Sequence, residues 1–145
     1  MRTITGLILM TFSAISLPMD ATDTMQELIW KHRVLIIFVP DSTNTKLSEQ
    51  NAIISQAAEG LADRDMVILR VFADAEPTLD NVRQQQSSKG FYQLYDVDPG
   101  QFRVVLIGKD GSVKLDQSVP VSADALFALI DAMSMRQYEM LKHDN

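Results

Sequence analysis

Cysteine is absent from this chain of 145 residues. Without cysteine, the chain forms no disulfide, offers no thiolate nucleophile and holds no metal through cysteine sulfur. The residue that anchors bacterial lipoproteins is missing for the same reason. Thiol redox catalysis, cysteine-ligated zinc sites and a lipoprotein anchor are therefore excluded.

Positive charge is also scarce. Lysine and arginine number 13 against 19 acidic residues, and the formal net charge is -6 at pH 7. Nucleic acids and anionic membranes attract clustered basic residues, so we expect no nucleic-acid partner. The 46% hydrophobic and 22% charged content otherwise suits an ordinary globular domain with one core.

The apolar stretch Ile4–Leu17 is shorter and more interrupted than the about 20 residues of a membrane-spanning helix. A basic residue precedes it, and Ala14 and Ser16 fit the small-residue rule of signal peptide cleavage. We predict a signal peptide over 1–16, with cleavage after Ala21 as the alternative. A first helix of the folded domain is the competing interpretation.

A polar linker over 17–24 and one domain over 25–145 complete this organisation. The product is expected in the periplasm or outside the cell. We expect no stable membrane insertion once the leader is removed.

Two short apolar runs, Val34–Val39 and Met66–Phe72, predict strands buried on both faces. Between them, apolar residues recur at helical spacing from Leu47 to Asp63, after the capping residues Asp41–Asn44. This order predicts a right-handed parallel crossover.

The second half of the chain predicts a hairpin and a final helix. Val104–Ile107 is followed by an Asp-Gly pair, which favours a type I′ turn leading into an edge strand at Val113–Leu115. Ser122 caps a helix with one apolar stripe, which consists of Leu126, Leu129, Ile130, Met133, Met140 and Leu141. A short helix is also expected over Leu79–Gln86, and a helical turn within Phe91–Val97. The fold class is therefore α/β, with a mixed four-stranded sheet and helices on both faces.

Three segments, Trp30–Pro40, Val105–Lys114 and Ile130–Met140, carry a resemblance to one family. It is a bacterial domain-of-unknown-function family related to domains of vertebrate equarin and sushi-repeat extracellular proteins. The third segment is the most specific and departs from the family at Ser134, where proline is expected. The resemblance implies a single thioredoxin-like, peroxiredoxin-related domain and an exported location. It implies no established activity and no catalytic residue.

The redox site of thioredoxin-like proteins has no counterpart here. Their reactive cysteine follows the first strand, where this chain has Asp41–Thr45 and no CxxC motif. Their cis-proline precedes the third strand, but Gln101–Arg103 contains no proline. A hydroxyl nucleophile at Ser42 or Thr43 would need a base, and neither His32 nor His143 lies at triad spacing. Helix capping explains the polar residues instead.

Methionine and tryptophan give two further candidate sites. Met133, Met135, Met140 and His143 are able to ligate Cu(I), although Met133 and Met140 fall on the predicted core stripe. We expect no cofactor and no metal. Trp30 predicts either an exposed anchor for a partner or a cover for one end of the sheet.

Arg136 and Glu139 are three residues apart and predict a surface ion pair, and Lys109 is expected as a solvated turn residue. The recurrence of the polar pair in the family segment favours a contact surface. The candidate interaction surface consists of Trp30, Arg33, Lys109, Arg136 and Glu139.

These observations predict a non-catalytic, exported binding or interaction module whose partner is an unknown protein or small ligand. A cysteine-independent enzyme or stress-defence protein of the peroxiredoxin-like superfamily is the first alternative. Copper handling by the methionine and histidine tail is the second.

Overall fold

The computed structural model describes residues 19–143, so the predicted signal peptide over 1–16 lies outside the described residues. The helices are α1 (Ala21–Leu28), α2 (Thr45–Gln56), α3 (Ala58–Asp63), α4 (Ser88–Leu94), α5 (Ala123–Asp131) and α6 (Ser134–His143). The strands are β1 (Arg33–Val39), β2 (Met66–Phe72), β3 (Thr78–Leu79), β4 (Val82–Arg83), β5 (Arg103–Ile107) and β6 (Val113–Gln117).

The strands form one mixed sheet in the order β4-β3-β2-β1-β5-β6. β1 pairs in parallel with β2 and antiparallel with β5, and β6 lies at the edge. Every residue of β1 is buried, because the strand has a neighbour on each side and helices above and below. The central position of Val34–Val39 and its antiparallel pairing with Val104–Ile107 are confirmed.

Side chains that alternate along β1 enter two separate cores. On one face, helices α1 and α4 cover Val34, Ile36 and Phe38 with Ala21, Met25, Phe91 and Tyr92. On the other face, helices α2, α3 and α5 cover Leu35, Ile37 and Val39 with Leu47, Leu61, Leu126 and Ile130. The α/β class and the helices on both faces are therefore as predicted.

The sheet has six strands, so the prediction of four strands is wrong, as is the helix expected over Leu79–Gln86. Strands β3 and β4 form a hairpin whose two turn residues, Asp80 and Asn81, have φ of 45° and 70°. Two successive left-handed residues define the tight hairpin turn, and aspartate and asparagine tolerate this conformation best after glycine. Asp80 also accepts a hydrogen bond from the Ile68 amide at 2.8 Å.

The hairpin of β5 and β6 is confirmed, but its turn is not the predicted type I′. Gly111 has a φ of 79°, whereas Asp110 has no positive φ. The Gly111 amide donates to the Gly108 carbonyl at 2.9 Å, and the Gly108 amide donates to the Ser112 carbonyl at 2.9 Å. This is a three-residue loop with a type I turn and a left-handed glycine.

Two helices differ from the prediction by a break. The run from Leu47 to Asp63 divides at Ala57, and the final helix divides between α5 and α6, where the Met133 amide donates to the Ile130 carbonyl at 2.9 Å. Leu129 and Leu141, both placed on the predicted core stripe, are 36% and 66% exposed. The predicted stripe is therefore correct only in part.

The linker predicted over 17–24 is wrong for its last residues. Asp20 caps α1, where its carboxylate accepts from the Asp23 amide at 2.9 Å, and Ala21 and Thr24 are buried. Burial of one face of α1 against α4 makes this helix part of the folded unit. The helical turn expected within Phe91–Val97 is part of α4.

Candidate functional site

A buried ion pair lies at the amino end of β1, the edge of the sheet opposite Asp41–Thr45. Arg33, the first residue of the strand, is only 1% exposed. Its two terminal nitrogens donate to the two Glu139 carboxylate oxygens at 3.1 and 3.3 Å, and Nη1 also donates to the Arg64 carbonyl at 2.9 Å. This two-pronged contact fixes α6 against the start of the central strand.

Glu139 serves a second buried cation. The Lys109 Nζ donates to Glu139 Oε1 at 2.6 Å and to Asp65 Oδ2 at 2.7 Å. The Lys109 side chain is 9% exposed, so the expectation of a solvated turn residue is wrong. Burial acts to raise the pKa of Glu139, but the hydrogen bonds from Lys109 and Arg33 outweigh burial and hold it below its ordinary value. The hydrogen bond from Lys109 likewise lowers the pKa of Asp65. Both carboxylates are therefore charged at neutral pH.

Arg136 joins α6 to the end of α3. It is buried, donates to the Asp63 carbonyl at 2.8 Å and contacts the Asp63 carboxylate. Asp131 accepts from Arg136 at 3.3 Å and from two Arg64 nitrogens at 2.9 and 2.7 Å. Arg136 and Glu139 do form the predicted pair, at 3.8 Å, but the expectation that it lies on the surface is wrong, because both side chains are largely buried and have their main partners in other elements. We call these eight residues the basal ion network: Arg33, Asp63, Arg64, Asp65, Lys109, Asp131, Arg136 and Glu139.

Trp30 lies beside this network and is 68% exposed, so it does not cover the end of the sheet. Ile29 has φ -55° and ψ 141°, Trp30 has φ 70°, and the Lys31 amide donates to the Leu28 carbonyl at 3.1 Å. These values define a type II turn with tryptophan at the position that normally requires glycine or asparagine. The Trp30 amide donates to the Lys109 carbonyl at 2.7 Å, which ties the turn to the hairpin.

The five residues of the candidate interaction surface thus lie at one end of the molecule, but in two environments. Trp30 is open to solvent, while Arg33, Lys109 and Arg136 are buried and Glu139 is half-buried. The role of this set in an interaction stays a prediction. Four residues of the basal ion network were not predicted from the sequence: Asp63, Arg64, Asp65 and Asp131. The signal for the first three was the charged triplet Asp63-Arg64-Asp65 just before a buried strand.

The opposite edge of the sheet holds the segment that replaces the thiol site. The Asp41 carboxylate accepts from the Thr43 amide at 2.9 Å and from the Thr43 hydroxyl at 2.5 Å. Asn44 accepts from the Lys46 amide at 3.0 Å and caps α2. These are local turn and capping bonds, as the sequence predicted.

The copper alternative gains no support from the tail of the chain. Met133 packs against the core beneath α5, while Met135 and His143 are exposed. Within residues 19–143, no cluster of three or more histidine, aspartate or glutamate side chains has the arrangement of a metal site.

Acid should destabilise the basal ion network. The hydrogen bonds and charges of arginine and lysine lower the pKa of Asp65, Asp131 and Glu139 in the folded state. Groups with a depressed folded pKa stabilise the fold above their unfolded values, here 3.8 for aspartate and 4.5 for glutamate. We expect the free energy of unfolding to stay level from pH 7 to pH 5.

Below pH 4.5, the free energy of unfolding should fall as these carboxylates take up protons. Urea unfolding at pH 7, 5, 4 and 3 measures the effect. A Glu139→Gln chain should show a shallower acid loss, because one of the depressed groups is gone. Equal stability at pH 7 and pH 3 would contradict the network's role.

Comparisons with known proteins identify a family and a fold for this chain. The model of the family described as Domain of unknown function (DUF4174) matches residues 24–139. Sushi repeat-containing protein SRPX2 of Rattus norvegicus is 25% identical over 127 residues, covering 85% of this chain and 27% of that protein. The Homo sapiens protein of the same name is 26% identical over 125 residues, covering 83% and 27%. The chain therefore spans about a quarter of the length of these relatives.

Two solved structures share the fold. The reduced 2-Cys peroxiredoxin of Plasmodium vivax superposes with a TM-score of 0.58 at 18% identity, covering 79% of this chain and 83% of that one. Thioredoxin peroxidase I of Plasmodium yoelii gives 0.58 at 20% identity, covering 79% of each chain. The thioredoxin-like, peroxiredoxin-related fold and the resemblance drawn from the three sequence segments are confirmed. Among the described residues, the helices are all too short or too polar to cross a bilayer.

Proposed function

The chain belongs to the family Domain of unknown function (DUF4174), and we propose that it is a non-catalytic interaction module on a thioredoxin-like scaffold. Absence of cysteine removes the chemistry of the two solved relatives. The residues in the place of the thiol make local capping bonds. The scaffold is thus retained while its redox chemistry is lost, which supports a binding role.

One observation carries the proposal: Trp30 is exposed and adopts a left-handed backbone conformation. A left-handed L-residue costs roughly 1–2 kcal/mol relative to a right-handed one. Because 68% of this residue is in solvent, burial of the indole offsets little of that cost. A strained backbone conformation that burial does not compensate is typical of residues at functional sites, including those that contact a ligand or partner. Tryptophan is also among the residue types that dominate binding energy at interfaces.

Export to the periplasm or the cell exterior is part of the same proposal. A basic residue, a short apolar run and a small-residue cleavage site at the start of the sequence support it. Intact mass of the native protein, together with cell fractionation, tests this part. Retention of Met1 on a cytosolic protein would overturn it.

Replacing Trp30 with glycine should separate binding from stability. Glycine adopts the left-handed conformation without penalty, so we expect the free energy of unfolding to be unchanged or to rise by up to about 1 kcal/mol. Binding to the partner should fall at least about 30-fold, the loss associated with a hot-spot residue of 2 kcal/mol or more. Affinity capture from the native cell envelope, with mass spectrometry and parallel urea unfolding, measures both quantities.

Tyr138→Ser is the matched control, because Tyr138 is another largely exposed aromatic residue. A partner retained by the wild-type and Tyr138→Ser chains but lost from the Trp30→Gly chain supports the proposal. If Trp30→Gly unfolds at markedly lower urea concentration, the indole is structural and the binding proposal is wrong.

A further inference from the structure

A small cavity lies between the β5–β6 hairpin loop and the junction of α5 and α6. Its volume is about 230 Å³. The charged lining residues are Arg33, Lys109, Asp110 and Lys114, and the first residues of α6, Ser134 and Met135, also line the cavity. Pockets for drug-sized ligands usually measure about 300–1,000 Å³, so this cavity suits a smaller molecule.

Arg33 contributes an unused donor. Both terminal nitrogens of its guanidinium are occupied by Glu139 and by the Arg64 carbonyl, and neither of these partners lines the cavity. The remaining donor, Nε, is buried and has no acceptor among residues 19–143. A buried N–H without an acceptor is uncommon and points to a water or ion that completes the site.

Two ammonium groups and one carboxylate complete the charged lining. Lys109 is 9% exposed and its Nζ already donates to Glu139 and Asp65, whereas Lys114 lies closer to solvent. Asp110 is the one acidic residue of this lining within the described chain, and Lys114 approaches it at 3.1 Å. The Ser112 amide and hydroxyl also donate to Asp110, and these bonds lower its pKa to about 2. Its charge is therefore partly satisfied by its own loop.

The first turn of α6 adds backbone donors. Met133 precedes the helix, and its carbonyl accepts from the Gln137 amide at 3.0 Å. A thioether side chain provides no cap, and the amides of Ser134 and Met135 make no hydrogen bond within the described part of the chain. The positive end of the helix dipole thus opens beside the cavity with unpaired N–H groups.

We propose that this cavity binds a small tetrahedral oxyanion, a phosphate or sulfate group. Lysine and arginine charges, free amides at a helix start and a buried unpaired guanidinium donor are the groups that recognise such anions. The group is either a free ion or the head of a larger ester. The site is separate from the exposed Trp30 indole. The proposal of an anion site therefore does not depend on the proposed interaction module.

Isothermal titration of the purified chain at pH 7.5 tests the site. Inorganic phosphate, inorganic sulfate and O-phosphoserine are the probes, each against chloride at matched ionic strength. We expect a single-site isotherm for at least one probe and a melting temperature that rises with its concentration. Binding of inorganic ions alone indicates a free-ion site, whereas binding of O-phosphoserine shows that an ester is accepted.

Ser134→Pro and Lys114→Gln are the test variants. Proline suits the first position of a helix, so Ser134→Pro removes an amide donor and a hydroxyl while preserving α6. Each variant should weaken binding about tenfold, as expected for loss of one hydrogen bond to a charged group. Lys142→Gln, the same charge change at the far end of α6, should leave affinity unchanged. No binding beyond chloride, unaltered affinity in both test variants, or an equal loss in Lys142→Gln would overturn the proposal.

Discussion

Replacement of Glu139 by glutamine is expected to lower the free energy of unfolding by about 3 kcal/mol, the lower end of values for breaking a buried ion pair. Glutamine keeps the shape of the side chain but removes the charge that faces both Arg33 and Lys109. The two buried cations then keep Asp65, the Arg64 carbonyl and the single amide oxygen of the new glutamine as acceptors, while the glutamine NH2 group adds a donor where a charged acceptor stood. Urea unfolding monitored by circular dichroism at pH 7 measures the loss.

Asp116→Asn is the control for Glu139→Gln. Asp116 also receives a two-pronged bond from an arginine, Arg103, at 2.5 and 2.8 Å. Both of these side chains are about one third exposed, so the change should cost less than about 1 kcal/mol. Equal losses in the two variants would show that burial does not set the worth of Glu139.

The basal ion network explains how α6 is attached. Within the described residues of this helix, Arg136 is the one that is buried, whereas Met135 and Tyr138 are exposed. Helix α6 therefore packs against the domain through charged groups. Helix α5, in contrast, packs through buried residues of the predicted apolar stripe.

The central strands were predictable because burial on both faces produces a continuous run of apolar residues in the sequence. A strand covered on both faces has no polar position to fill, so Val34–Val39 and Met66–Phe72 are continuous apolar runs. Strands β3 and β4 have two residues each and carry no such signal. Their hairpin depends on the left-handed pair Asp80-Asn81. The spacing of apolar residues, from which a helix was predicted here, does not detect such a turn.

Four of the eight residues of the basal ion network were predictable from the sequence, but their burial was not. Spacing placed Arg136 and Glu139 on the same side of a helix, and charged side chains usually face solvent. Carboxylates from other elements, such as Asp63 and Asp131, reverse that expectation by making burial of arginine favourable. Trp30 shows the converse, because a large apolar residue is normally covered. Only the tertiary positions of these partners decide which side faces outward.

Removal of the C-terminal helices should have the largest effect on stability. A chain that ends at Met133 lacks both Glu139 and Arg136, and we expect a loss of about 4–5 kcal/mol from the buried and partly exposed pairs together. This corresponds to a fall in melting temperature of roughly 15 °C for a domain of this size. Thermal unfolding by circular dichroism measures the change.

A chain that ends at Ser122 should lose cooperative folding altogether. It lacks α5 as well, so the core of Leu35, Ile37 and Val104 loses the cover of Leu126 and Ile130. Each of these two large side chains contributes roughly 1.5–3 kcal/mol through burial. Added to the loss of α6, this is comparable to the entire stability of about 5–15 kcal/mol typical of a domain. A chain ending at Ser122 that still melts cooperatively near the full-length temperature would show that both helices are peripheral. A chain ending at Met133 with the full-length melting temperature would instead locate the stabilising contribution in α5 alone.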